Sequence, residues 1–241
     1  MACSSDFPSA ATAASDSNRR RIRSFVLRQG RLTSAQRRAL ECHWSAYGID
    51  YRPVMIDLLQ LFGNSAPVTL EIGFGNGDSL LQQALDSPER NYLGIEVHRP
   101  GVGQLLHRAA EAGVQNLRVI NHDAVEVLRE MIPRDSLDCV QLFFPDPWHK
   151  RRHHKRRIVQ LEFAQSIRVL LRQGGTFHMA TDWLDYAMHM LAVMEQSEGF
   201  TNAAGAGQFA TALTQRPETR FEHRGRRLGH EVRDLVFVRC A

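Results

Sequence analysis

A doubly wound α/β domain is the fold this 241-residue chain predicts, and three observations carry it. Short apolar runs of strand character alternate with helical stretches over most of the length. A glycine-rich turn follows the first of those runs, and an acid stands at or beside the end of each of the first three. The length suits one sizeable domain with extensions and is enough to bury a full core.

Residues 1–18, MACSSDFPSAATAASDSN, are rich in Ser and Ala, lack the basic and apolar stretches of a secretory signal, and read as a disordered tail. Residues 19–63 read as a basic arm and two helical segments, SAQRRALECHWSAYGI (34–49) and RPVMIDLLQLFG (52–63), the second closed by Gly63. From residue 64 onward the main domain is expected. VTLEI (68–72) is a buried-strand run with DSLLQQALDS as its helix, and NYLGIEV (91–97) is followed by a helix from Gly101 to Ala112. NLRVINHD (116–123) precedes AVEVLREMI, and SLDCVQLFF (136–144) precedes a basic loop and the helix RIVQLEFAQSIRVLL (157–171). GGTFHMATD (174–182) precedes WLDYAMHMLAVMEQSEG; FTNAAG is weakly strand-like and LVFVRC (235–240) is a last strand. Five strands each followed by a helix predict a mainly parallel sheet covered on both faces. The final pair, joined without a helix, predicts an antiparallel edge, giving seven strands.

An apolar fraction of 43% and a charged fraction of 23% are those of an ordinary soluble globular protein. Net charge is only +4, so its distribution matters more than its total. Arginine clusters at Arg19–Arg38 (eight Arg and no acid), at Lys150–Arg157 and at Arg216–Arg227. Such patches point to phosphate-bearing partners, although a single run is more often a solvated surface. Cys3, Cys42, Cys139 and Cys240 lie far apart without a C-x-x-C pair and read as free thiols of a reducing cytosol. With no apolar stretch of membrane-spanning length, a cytoplasmic protein is expected.

LEIGFGNG (70–77) places Gly73, Gly75 and Gly77 between the first strand and its helix, where glycine lets the backbone lie against a ligand. The spacing is G-x-G-x-G and departs from the G-x-G-x-x-G of dinucleotide sites. Glu71 before the turn and Asp78 at the helix start would repel a pyrophosphate. They suit instead a ligand carrying positive charge, such as the amino group and sulfonium of S-adenosyl-L-methionine. Glu96, 23 positions after Gly73, is placed to take the two ribose hydroxyls, and Asp123 to accept from an adenine amino group. Asp123 also stands where a helix cap would. A nicotinamide-dependent oxidoreductase is the rival reading, opposed by the glycine spacing and the basic loop. A second rival is a non-catalytic RNA-binding protein on the same scaffold, opposed by the intact acids.

FPDPWHKRRHHKRR (144–157) sets one carboxylate, Asp146, between two prolines and directly before the densest positive charge in the chain. Six of the nine residues from His149 to Arg157 are Lys or Arg and the other three are His. The segment follows the fourth strand, at the sheet edge where the ligand is expected, and the prolines stiffen it. A carboxylate accepts two hydrogen bonds, and guanine's Watson–Crick edge offers two donors, so Asp146 matches guanine better than adenine. The bland alternative makes Asp146 a turn residue and Trp148 a core anchor. His149, His153 and His154 stand among cations without an acid nearby, so no metal is expected there.

GFGNG, GIEVHRPGVG, HDAVEVL, FFPDPWHKRRHHKRR, HMATDW and TRFEHRGRRLGH resemble, in that order, the motifs of bacterial tRNA (guanine-N7-)-methyltransferases. The resemblance runs from about Arg21 to the C-terminus. It implies a Rossmann-like class I methyltransferase that moves methyl from S-adenosyl-L-methionine to N7 of guanine 46 in the tRNA variable loop, giving 7-methylguanosine. It implies cofactor contacts from Glu71, Glu96, Asp123 and Asp146, with Asp146 also catalytic. Lys150, Asp182, Thr219, Arg220, Phe221 and Glu222 match positions assigned to substrate, although Thr219 and Glu222 also have the spacing of a capping box. Arg152, His153, His154, Lys155, Arg156 and Arg157 match the RNA-contacting segment. The implied partner is tRNA, with no membrane and no obligate protein subunit.

Overall fold

The computed structural model describes residues 23–26, 30–210, 216, 217, 222, 229 and 231–241. The tail expected over 1–18, and Thr219, Arg220 and Phe221, lie outside the described residues.

The helix α1 (Ser34–Tyr47) starts at Thr33, whose side chain accepts from the Gln36 N–H while the Gln36 side chain accepts from the Thr33 N–H. It stops at Tyr47, because the next two residues form a short strand, β1 (Gly48–Ile49). The helix expected over 52–63 is confined to α2 (Leu58–Phe62). Before it, the Ile56 N–H donates to the Met131 carbonyl, and the Asp57 side chain caps the helix through the Gln60 N–H. Gly63, at φ 70°, closes it in the left-handed conformation.

Strand and helix then alternate: β2 (Val68–Ile72), α3 (Asp78–Asp86), β3 (Asn91–Ile95), α4 (Arg99–Ala112), β4 (Leu117–Ile120), α5 (Ala124–Glu130) and β5 (Leu137–Phe143). A 3-10 helix (Arg151–Arg156), α6 (Leu161–Leu170), β6 (Leu171–Thr181), α7 (Leu184–Glu195), β7 (Phe200–Asn202) and β8 (Arg233–Arg239) complete the described elements. The helix expected from Arg157 starts only at Leu161. Arg157 is drawn back to the Pro147 carbonyl, and Val159 is fully buried.

One sheet holds eight strands in the order β1-β4-β3-β2-β5-β6-β8-β7. The strands β1 to β6 pair in parallel, β8 runs antiparallel to β6, and β7 antiparallel to β8. The strand beyond the seven read from the sequence is β1, two residues long and too short to leave an alternating pattern. Residues 34–49 therefore belong to the packed body, since β1 joins the sheet and Tyr47 donates to the Ala109 carbonyl of α4. On one face Leu70, Leu93, Phe163, Ile167, Phe177 and Met190 pack under α5, α6 and α7. On the other, Leu80, Leu105, Leu106, Leu117 and Val119 pack under α1, α3 and α4. Full burial of each such side chain stabilises the fold by roughly 1.5–3 kcal/mol before entropy is counted.

The order reverses between β2 and β5, whose ends align at Ile72 and Leu142. Open α/β sheets bind ligands at that crevice. No helix among the described residues is long and apolar enough to cross a membrane.

Candidate active site

A cavity of about 790 Å³ opens at the carboxyl edge over the β2/β5 junction. That is ample for a nucleoside-sized ligand. Glu71, Gly73, Gly75, Glu96 and Asp123 line one part of it, and Asp146, Lys150 and His153 another. Gly73 and Gly75 have φ of 74° and 60°, and a Cβ on either would meet nothing within 4 Å. Their backbone is thus bare toward open space, as a closely seated ligand requires. On its other side the turn is tight: a Cβ on Gly101 of α4 would fall 2.0 Å from the Gly75 carbonyl oxygen. Gly77 does not line the cavity. It precedes α3 at φ 75°, where an added Cβ would meet Leu105, so its place is one of close packing.

Two carboxylates stand close together in this dry corner. Glu71 is 3% exposed, and its Oε2 has no hydrogen-bond partner. Burial first, then repulsion from Glu96, pushes its pKa up to about 8, with Arg216 pulling the other way. Glu96 is raised as well, chiefly by burial. Its Oε2 accepts from the Gly75 N–H and its Oε1 from the His98 N–H, both at 2.8 Å, and these bonds partly offset the burial. A buried acid with an orphaned oxygen, beside a second acid, is costly unless a cation or donor arrives. Asp78 also lines the cavity and is paired with Arg108. Asp123 caps α5 by accepting from the Val125 N–H at 3.0 Å and also lines the cavity, so the cap and the site coincide.

The loop after β5 is held by different means. Phe144 and Trp148 both adopt φ 49°, a left-handed conformation that large side chains rarely take. The Phe144 N–H is fixed to the Ala180 carbonyl of β6 at 2.8 Å. Trp148 Nε1 donates to the Ser24 carbonyl at 3.0 Å, and the Arg156 guanidinium covers its ring at 3.7 Å. Between these two strained positions Asp146 is exposed and faces the cavity.

Residues 65–235 match a protein family described as putative methyltransferases. A tRNA (guanine-N(7)-)-methyltransferase of Aeromonas hydrophila is 61% identical over 91% of this chain and 93% of its own length. The enzyme of that name from Vibrio cholerae is 59% identical over 92% of this chain and 93% of its own. The chain belongs to the tRNA (guanine-N(7)-)-methyltransferase family. Solved structures match this methyltransferase in fold. The 16S rRNA methyltransferase KamB aligns with a TM-score of 0.55 at 16% identity, over 78% of this chain and 95% of that one. A 16S rRNA (adenine(1408)-N(1))-methyltransferase from Catenulisporales acidiphilia aligns at 0.52 and 14%, over 79% and 92%.

The basic segment of the methyltransferase divides by exposure. Lys150, Arg151, Arg152 and Lys155 are exposed. His154 is half-buried, with Nε2 at 3.1 Å from Arg157 Nη2. Arg156 donates to the Arg23 and Phe25 carbonyls at 3.0 and 3.1 Å and so holds the N-terminal arm. Arg157 points inward, with its side chain 2% exposed. It pairs with Asp185, donates to the Pro147 carbonyl at 3.0 Å and lies 4.9 Å from the Tyr186 ring. Arg157 therefore has no surface to offer a phosphate and leaves the expected RNA-contacting set.

Asp182 follows β6 half-buried and lies outside the cavity lining. The cap position of α7 falls on Trp183, which makes no side-chain capping bond and packs edge-on against His149 at 4.2 Å. Glu222 is buried and bonded to Arg216. Residues missed by the sequence reading are Ser24, Phe25 and Val26, which line the cavity beside Trp148. Their signal was the unexplained basic arm around them, whose place no periodicity fixes.

Proposed function

We propose that this chain transfers methyl from S-adenosyl-L-methionine to N7 of guanine 46 in the tRNA variable loop. The supporting observation is that one cavity carries the buried Glu71–Glu96 pair and the exposed Asp146–Lys150 loop together. The first suits a cationic small molecule and the second a base on a polyanion. Relatives about 60% identical along nine-tenths of the chain bear the corresponding name.

Glu71, Gly73, Gly75, Glu96 and Asp123 would hold the cofactor, which supplies a methyl group on a sulfonium. Guanine N7 has a free lone pair, so no proton has to leave and no general base is needed. Positive charge moves onto the purine as the new N–C bond forms and the S–C bond breaks. A carboxylate beside the purine favours that charge, and this is the role given to Asp146, along with accepting from the N1–H and amino group of guanine. Lys150, Arg152 and Lys155 hold the backbone, supplying affinity with little sequence information. The variable-loop guanine takes part in tertiary pairing, so local extrusion at a cost of a few kcal/mol is expected.

Incubation with methyl-labelled S-adenosyl-L-methionine and unmodified tRNA tests the reading. Digestion is expected to release label as 7-methylguanosine, mapped to guanine 46. Label in another nucleoside, or none in tRNA, would refute it.

A further inference from the structure

The connection from β7 to β8 carries the TRFE motif, and the side chain of Arg216, which precedes it, is buried against two aromatic residues that line the cavity. The Arg216 side chain is 5% exposed. Its Nε and Nη2 donate to the two carboxylate oxygens of Asp234 at 2.8 and 3.2 Å, and its Nη1 donates to Glu222 Oε2 at 2.5 Å. Asp234 is fixed on β8 opposite Ala180 of β6, and its Oδ1 also meets His178 Nε2 at 2.8 Å. The same guanidinium lies 5.4 and 5.6 Å from the ring centres of Phe143 and Phe144, both of which line the cavity. One planar group thus joins the sheet, the aromatic wall of the cavity and Glu222.

A buried cation between two carboxylates is tolerable only with its donors satisfied, and breaking such a set is costly. Burial lowers the pKa of Arg216, but Asp234 and Glu222 outweigh it and keep the group charged. The fork that meets Asp234 with two donors and Glu222 with a third is specific to guanidinium; a lysine ammonium cannot reproduce it. Arg216 also reaches the cofactor corner electrostatically, since it lowers the proton affinity of Glu71.

We infer that Arg216 is a positioning residue for guanine recognition: anchored on Asp234 and set against Phe143 and Phe144 of the cavity lining, it orients Glu222. This role rests on the tRNA methyltransferase reading, under which Glu222 meets the substrate. Arg216 itself acts through Glu222 and is not a catalytic residue.

Single-turnover methylation of unmodified tRNA at saturating S-adenosyl-L-methionine, measured for wild type, Arg216→Lys, Glu222→Gln and the double variant, tests the role. Arg216→Lys is expected to slow methylation by about 30-fold, with cofactor affinity by equilibrium dialysis held within about threefold. In the Glu222→Gln background the same change is expected to cost less than about threefold, because the group it orients has already lost its charge. Independent, additive losses overturn the role, as does a cofactor affinity that falls in step with activity. Should Arg216→Lys fail to fold, Asp234→Asn weakens the anchor while keeping its shape and is expected to show the same split and the same non-additivity. A wild type that leaves tRNA unmethylated defeats the enzymatic reading as a whole. Additive losses with an active wild type defeat only the role of Arg216.

Discussion

The two ends of the cavity are built in opposite ways. At the acidic end Glu71 lies on β2 and Glu96 directly follows the adjacent parallel β3; both are buried with raised pKa values, and Glu96 accepts from backbone N–H groups. At the basic end Asp146 is exposed on a loop held by two prolines, two left-handed residues and the arm contact through Trp148. A small cation is drawn by dehydrated acids it alone relieves; a polyanion is drawn by exposed cations that remain in water. The difference shows why Asp146 can share a cavity with Glu71 and yet differ in chemistry.

The largest effect is expected at Asp146. Asp146→Asn keeps the loop's shape but loses half its accepting capacity and its charge. Turnover should fall about 100-fold or more while cofactor affinity stays within several-fold. Near-normal turnover would show that the loop carboxylate is only a turn residue.

Glu71 sharpens the other side of the comparison through pH. In the folded chain it keeps its proton up to about pH 8, whereas an unfolded chain releases it near 4.3. The folded state therefore binds more protons between those values, so this group's contribution to ligand-free stability falls as pH rises across that window. A cationic ligand favours the ionised form, so affinity for S-adenosyl-L-methionine should rise between about pH 6 and 7.5, approaching about tenfold per unit. Glu71→Gln should weaken binding and flatten that slope in a calorimetric titration. An unchanged slope would place the titrating group elsewhere.

Arg157 marks the boundary between the two halves. Because it is buried against Pro147, Asp185 and Tyr186, Arg157→Met should cost about 2–3 kcal/mol of stability in a denaturant titration. The salt dependence of tRNA binding by the folded fraction should stay unchanged. A shallower salt slope in that variant would return Arg157 to the phosphate-contacting set.

The acidic end of the cavity was readable in the sequence because strand alternation, glycine and acids at strand ends each follow from local physics. Glu71, Glu96 and Asp123 could be placed by counting along VTLEI, NYLGIEV and NLRVINHD. The packing of Gly77 on Leu105 was not legible, because a glycine needed for packing leaves the same trace as one that bares backbone to a ligand. At the basic end the motif named the segment but not its facing. Nothing in KRRHHKRR says that its last arginine turns inward, since that depends on Asp185 and Tyr186 of α7, 28 and 29 positions away. The early start given to α6 has the same cause. The two-residue β1 and the arm segment at Ser24–Val26 were invisible because each is defined by a distant partner, β4 and Trp148 respectively.

The division between the two halves is tested most directly by salt, applied to both ligands of one protein. Dissociation constants for tRNA and for S-adenosyl-L-methionine would be measured between about 50 and 300 mM salt, in wild type and in the Arg152→Gln/Lys155→Gln variant. Wild-type tRNA binding should weaken steeply, and the variant's log–log slope should be shallower by about 1.4–1.8, each lost phosphate contact removing about 0.7–0.9. Cofactor affinity should stay nearly flat in both proteins, because the Glu71–Glu96 corner is shielded from ions. A cofactor affinity as salt-sensitive as that of tRNA, or a tRNA slope the variant leaves unchanged, would contradict the account.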